Sequence, residues 1–172
     1  MNQTPLKHFR ILAVALSAGG FGFVVMEGQN TIIECGRRVA DGNKNAQSLA
    51  KLKKLLDFYW PGALVLQDVE AKGSRRAPRI RTLNRQIKRV AEKHKIEVKL
   101  ISGKQLRSLL LGNPNGTKQE MAEMLAAQFP DELESRLPPK RKPWESEDSR
   151  MDIFDAMALA VVFRMKWAKR TV

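Results

Sequence analysis

Histidine and cysteine are nearly absent from this 172-residue chain, which has two histidines and one cysteine, Cys35. A single cysteine excludes an internal disulfide framework and fits a reducing compartment, so we predict a cytoplasmic protein. With two histidines and one cysteine in the whole chain, we do not expect a zinc site made of cysteine and histidine. Neither histidine has an evident route to Cys35, so we interpret Cys35 as a small buried strand residue and not as a nucleophile.

Long apolar segments are also missing, and no stretch has the pattern of a basic amphipathic anchor, so we predict no association with membranes. Lys7, His8 and Arg10 precede an apolar run in the manner of a signal peptide. Gly19 and Gly20 interrupt that run and no cleavage site follows it. We therefore interpret the run as part of the folded core.

Acidic residues are scarce relative to basic ones: 18 Asp and Glu stand against 31 Lys and Arg, giving a formal net charge of +13. The 43% hydrophobic content suits one globular domain spanning residues 1–172. A positive surplus of this size indicates a polyanionic partner, and nucleic acid is the first candidate. An adaptor for an acidic protein is the alternative.

Residues 72–89 contain no acidic side chain, which distinguishes this segment from an ordinary solvated face of mixed charge. We predict that its basic residues contact phosphates along a groove, with two further lysines adding contacts. The predicted nucleic-acid-binding residues are Lys72, Arg75, Arg76, Arg79, Arg81, Arg85, Lys88, Arg89, Lys104 and Lys118. Trp144 follows a basic, proline-rich connector. It either stacks on a base or covers the core beside the last helix, and we favour the core.

Apolar periodicity predicts an α/β chain. Strands are expected at residues 10–17, 20–27, 31–35, 63–69 and 96–101, and helices at 43–60, in the latter part of 72–91, at 104–111, at 117–129 and from about 152 onward. The first three strands form an antiparallel meander. The other two follow crossover helices and are parallel to the first strand, giving a mixed five-stranded sheet.

Asp152 and Asp155 are three residues apart at the start of the last helix, within an otherwise apolar run. Residues at this spacing project from one side of a helix. Two like charges this close favour a divalent cation between them. Alternatively, both carboxylates complement the positive helix N-terminus.

The element order and several motifs resemble the ribonuclease H-like fold and, more narrowly, the RuvC family of Holliday junction resolvases. The matching residues are Asp152, Asp155, Ala156, Ala158 and Ala160 at the C-terminal end, residues 61–67, Gly112 and Thr117-Lys118, together with Lys142-Pro143-Trp144, Glu147-Asp148, Arg150-Met151 and Phe154. The resemblance implies a homodimer that acts on branched DNA in recombination and repair with Mg²⁺ or Mn²⁺. It implies Asp152 and Asp155 as catalytic and metal-binding residues.

Two positions depart from the family pattern. Ala15 stands where an aspartate is expected at the end of the first strand, and Gln67 where a glutamate is expected at the end of the fourth. Two-metal hydrolysis needs carboxylates to gather two ions about 4 Å apart, so we expect one ion or none and an impaired nuclease. The alternative is an active endonuclease that uses Asp68 with Asp152 and Asp155. Asp68 would need a bulge, because adjacent strand residues face opposite sides of a sheet.

Overall fold

A mixed five-stranded sheet organises residues 9–167, the part of the chain that the computed structural model describes. Its strands are β1 (Arg10–Ser17), β2 (Gly20–Glu27), β3 (Thr31–Val39), β4 (Ala63–Gln67) and β5 (Glu97–Ile101), in the order β3-β2-β1-β4-β5. The first three strands are antiparallel, while β4 and β5 run parallel to β1. The predicted sheet is therefore confirmed. Lys7 and His8 of the basic N-terminal stretch lie outside the described residues.

Helices cover both faces of this sheet. They are α1 (Lys44–Tyr59) and α2 (Pro78–Lys93) on one face, and α3 (Gly103–Leu111), α4 (Lys118–Gln128), α5 (Pro130–Leu133) and α6 (Met151–Trp167) on the other. Because both faces are covered, β1 and β4 are apolar along nearly their whole length. Within residues 9–167, no helix combines the length and apolar content needed to cross a membrane.

Strand alternation decides which side chains meet which helices. Ile11, Ala13 and Ala15 point toward α6, whereas Leu12 and Val14 point toward α1 and α2. The run interpreted as core instead of a signal peptide is β1, and its six central residues are buried. The buried α6 face and the odd-numbered residues of β1 and β4 together form the layer that contains the candidate site.

The structure differs from the prediction at β3 and after α4. The predicted third strand ended at Cys35, but β3 continues to Val39 because residues 36–39 remain paired with β2. Cys35 is only partly buried, and burial raises the pKa of its thiol, which disfavours a nucleophilic thiolate. The short helix α5 and a 3₁₀ turn at Glu134–Arg136 were not predicted, since four residues show no helical period.

Gly22 on β2 allows the first turn of α6 to approach the sheet closely. A side-chain carbon at this position would clash with the backbone carbonyl of Asp152. Close approach here fixes where α6 begins over the sheet. It thereby fixes where the side chains of Asp152 and Asp155 point.

Candidate functional site

Ala15 and Gln67 lie side by side at the carboxyl ends of two parallel strands. They come one residue after the paired residues Val14 and Leu66, and both face the α6 layer. Together with Asp155 they line a small cavity of about 40 Å³. The structure thus brings together three of the four positions that the sequence singled out, at the edge of the sheet where α/β folds bind ligands.

Lys118, the first residue of α4, occupies the polar side of this cavity. Its ammonium nitrogen is 3.2 Å from Asp155 Oδ2 and 3.1 Å from Glu147 Oε1. Burial alone would lower the pKa of Lys118, but the two carboxylates outweigh burial and raise this pKa above its ordinary value. Lys118 was predicted to contact phosphate. In the structure its ammonium contacts two carboxylates, and the phosphate contact stays a prediction.

Asp155 is the acidic residue that lines the cavity. Its side chain is 19% exposed, and burial raises its pKa above 3.8, with Lys118 opposing that rise. A carboxyl group in this setting is stable as an anion only while a cation faces it. Lys118 supplies that cation from within the protein.

Asp152, three residues before Asp155, contacts a different set of side chains. Its Oδ2 accepts hydrogen bonds from Ser17 Oγ at 2.7 Å and Arg37 Nε at 2.8 Å. The side chain is 9% exposed and forms an ion pair with Arg37 of β3. Residues three apart on a helix differ by about 60° in direction, and at the first turn of α6 this angle sends the two carboxylates to different neighbours.

Arg76 holds the amide of Gln67. One guanidinium nitrogen donates to Gln67 Oε1 at 2.6 Å, and another donates to the carbonyl oxygen of Leu16 at 3.2 Å. Both contacts fix the guanidinium at the mouth of the cavity. The only side-chain oxygen of Gln67 is therefore already used as an acceptor.

The residues at the cavity do not fit the pair of divalent ions that the resemblance implies. Ala15 offers no donor atom, Gln67 Oε1 accepts from Arg76, and Asp155 is bound to the Lys118 ammonium. Among residues 9–167, no cluster of three or more His, Cys, Asp or Glu side chains is arranged to hold a metal. The oxygen atoms that could bind a metal ion here already contact the cationic side chains of Arg76 and Lys118.

Asp68, the alternative carboxylate, is not among the residues that line this cavity. Its Oδ1 accepts from the Glu70 backbone N–H at 3.2 Å, and it lines a neighbouring depression instead of the cavity. This is the outcome expected for consecutive strand residues that point to opposite sides.

The neighbouring depression is strongly basic and has a volume of about 470 Å³. We call it the basic depression. Its charged and polar lining residues are Gln67, Asp68, Lys72, Ser74, Arg75, Arg76, Ser102, Lys104 and Arg107. It shares Gln67, Arg76 and Arg107 with the cavity, so the two form one continuous surface.

Apart from Lys118, which lines the cavity, the predicted nucleic-acid-binding residues divide into two groups. Lys72, Arg75, Arg76 and Lys104 converge on the basic depression. The others are Arg79, Arg81, Arg85, Lys88 and Arg89, which lie along α2. Arg79 donates to the carbonyl oxygens of Ser17 and Ala18, and Arg81 donates to the carbonyl oxygen of Ser74. Arg85 forms an ion pair with Glu70. The second group belongs to the opposite helical layer.

Two residues of this surface were missed from the sequence. Glu147 was quoted as part of a motif but given no role, because it lies in a connector without helical or strand period. Arg107 lies on α3 and lines both the cavity and the basic depression. The Ser102 capping box, which starts α3 at the end of β5, was the available signal that α3 begins at this edge.

Comparisons with known proteins agree with the fold. The structure is similar to Thermus thermophilus RuvC, with 14% identity, TM-score 0.67, and coverage of 95% of this chain and 97% of that chain. It is similar to T. thermophilus RuvC in complex with a Holliday junction substrate, at 15% identity and TM-score 0.65, with the same coverage. The yeast mitochondrial Holliday junction resolvase Ydc2 matches at 15% identity and TM-score 0.61, over 94% of this chain and 80% of that chain.

Sequence-based comparisons give nothing further, since neither the protein-family models nor the curated proteins match this chain. The structural similarities confirm the predicted fold class, a ribonuclease H-like fold of the kind seen in RuvC. They extend over nearly the whole of the chain. Because the sequence identities are low, any statement about function has to rest on the residues of the site and not on the fold.

Proposed function

We propose that this protein is a RuvC-like nucleic-acid-binding protein that binds branched or structured DNA without cleaving it efficiently. The observation that carries the proposal is the basic depression, which adjoins the cavity of Ala15, Gln67 and Asp155. Lysine and arginine side chains that converge from a loop and a helix on one concavity are the arrangement that binds a phosphodiester backbone.

The shape and charge of the surface favour recognition of the backbone over recognition of base sequence. Lys72 and Arg75 come from the loop after β4, whereas Lys104 and Arg107 come from α3. Contacts of this kind neutralise phosphates and release counterions, so affinity falls steeply with salt. DNA structure is then selected by which phosphates reach both sides of the depression at once.

Impaired cleavage follows from the donor set at the cavity. Hydrolysis by two metals requires carboxylates that gather both ions, and two of the expected positions have no carboxylate. The Lys118 ammonium further neutralises Asp155 and Glu147. The protein therefore keeps the binding surface while lacking the ligands for the reaction.

Homodimerisation is part of the proposal, because the resemblance to RuvC implies it and a four-way junction presents several equivalent arms. Sedimentation equilibrium with and without junction DNA measures it directly. A monomer in both conditions would remove this part of the proposal and leave the binding surface unaffected.

Fluorescence anisotropy with a labelled four-way junction and a linear duplex tests the function. We expect tighter binding of the junction, and log Kd that rises linearly with log salt. The double variant Arg75→Ala/Lys104→Ala should weaken binding and reduce the salt slope by about 2, close to one per phosphate contact. The matched control is Lys53→Ala/Lys54→Ala on α1, which removes the same charge from exposed positions on the other helical layer.

Binding that is absent or independent of salt would contradict the proposal. The basic surface would then be better explained as a binding site for an acidic protein.

A further inference from the structure

Trp144 is 78% exposed, although the sequence favoured a role for it in covering the core. An indole is the largest apolar side chain, and a position in water forgoes the stabilisation that its burial would give. Within residues 9–167 its ring forms no aromatic pair, and its one cation–π contact is with Lys142, whose Nζ is 5.5 Å from the ring centroid.

A β-turn holds this tryptophan outward. The Glu145 backbone N–H donates to the Lys142 carbonyl oxygen at 3.0 Å, which closes a turn with Pro143 and Trp144 at its two corners. Proline at the first corner fixes φ before any ligand arrives. The indole is thus presented on a preorganised support, which lowers the entropy lost when a ligand packs against it.

A short segment links the turn to a residue that contacts the candidate site. Glu147, three residues after Trp144, contacts Lys118 at the cavity, so the Cα atoms of Trp144 and Glu147 are within about 11 Å of each other. Lys140, Arg141 and Lys142 precede the tryptophan, and all three are exposed. An exposed aromatic ring beside basic side chains is the combination that binds unpaired nucleotides, with the ring stacking on a base and the cations facing phosphates.

We propose that Trp144 is a base-stacking residue that binds an unpaired nucleobase next to the DNA backbone held in the basic depression. The inference rests on the proposed function and adds a preference for unpaired bases over continuous duplex. Stacking is indifferent to base identity, because each base has an aromatic face. Trp144 therefore contributes selectivity for DNA structure and not for sequence.

The test uses the full chain and two labelled DNA probes with equal numbers of phosphates: a fork with two single-stranded arms and a fully paired duplex. Trp144→Ala should weaken fork binding by about fivefold or more, with less than a twofold change for the duplex. Trp144→Phe should give an intermediate affinity for the fork, since the smaller ring still stacks. Fork binding should also quench the tryptophan emission of the wild type and leave that of Trp144→Ala nearly unchanged.

Trp60→Ala is the matched control. Trp60 is 83% exposed but follows α1 near the start of β1, roughly 23 Å from the carboxyl end of that strand. Its replacement should leave both affinities unchanged. Thermal melts of both variants check the fold, which we expect to be unaffected because both rings are exposed.

The outcomes separate the two proposals. Equal fork affinity for Trp144→Ala and wild type would refute base stacking and leave the basic depression as the binding surface. An equal loss for fork and duplex would refute it as well, because the turn would then act on the backbone alone. No binding of either probe by the wild type would refute the proposed function itself, and the stacking role with it.

Discussion

Replacing Lys118 with methionine tests whether an internal cation stabilises the candidate site. Methionine keeps much of the length and apolar volume of the lysine stem but removes its charge. Asp155 and Glu147 would then face each other without the ammonium that lies 3.2 Å and 3.1 Å from them. We expect the variant to fold and to be less stable than the wild type.

The expected loss lies between the values for surface and buried ion pairs. Exposed pairs contribute about 0–1 kcal/mol, whereas breaking a buried pair costs about 3–5 kcal/mol. The side chain of Lys118 is 45% exposed and that of Asp155 is 19% exposed, so solvent screens part of the interaction. We expect a loss of about 1–2 kcal/mol, which lowers Tm by about 2–8 °C for a chain of this length.

The effect of pH has a definite sign. Because burial raises the pKa of Asp155 above 3.8, its contribution to stability is greatest at acidic pH and falls as pH rises through the folded value. Lys118 limits that fall. Its own raised pKa keeps its contribution intact up to about pH 10.5, above which the contribution is lost. The gap in Tm between wild type and Lys118→Met should therefore widen from about pH 4 to about pH 8.

Differential scanning calorimetry at several pH values measures this gap. Lys104→Met is the matched control, since Lys104 is an exposed residue of α3 at the same surface, and its Tm should differ little from that of the wild type. A second readout is Mn²⁺, which should raise the Tm of Lys118→Met more than that of the wild type by taking the vacated place between the carboxylates. A gap that is constant or narrows with rising pH would refute the internal-cation role of Lys118.

Three further predictions concern the residues around the site. Asp152→Ala should lower the free energy of unfolding, measured with urea, by about 3 kcal/mol, because it leaves the largely buried guanidinium of Arg37 without its carboxylate partner. DNA affinity should stay nearly unchanged if Asp152 is a structural residue. Gly22→Ala should cost about 1–3 kcal/mol because its new methyl group meets the α6 backbone, whereas Gly36→Ala, with ordinary space, should be nearly neutral. Ala15→Asp combined with Gln67→Glu should introduce Mn²⁺-dependent cleavage of a four-way junction. Robust cleavage by the wild type would contradict the proposed impairment.

Much of the fold could be predicted because apolar period and chain order determine it. The alternation in β1 and β4 places Ala15 and Gln67 on one face, and parallel pairing places them side by side. The direction of Asp152 could not be predicted in this way, since it depends on Arg37, a residue of β3 that is distant in sequence. The role of Glu147 could not be predicted for a related reason, because only the tertiary fold brings its connector to Lys118.

The two neutral residues also change the electrostatic character of the cavity. Three cationic side chains, Arg76, Arg107 and Lys118, line it, and two carboxylates, Asp155 and Glu147, contact the Lys118 ammonium. Carboxylates at positions 15 and 67 would make the balance negative and would need metal ions before a phosphate could approach. With Ala15 and Gln67 the balance is slightly positive without any metal, so under the proposed function this surface needs no metal to attract a phosphodiester. If the protein binds DNA as proposed, the neutral residues at positions 15 and 67 favour metal-independent binding, and affinity measured in chelator should equal affinity measured in Mg²⁺ at matched ionic strength.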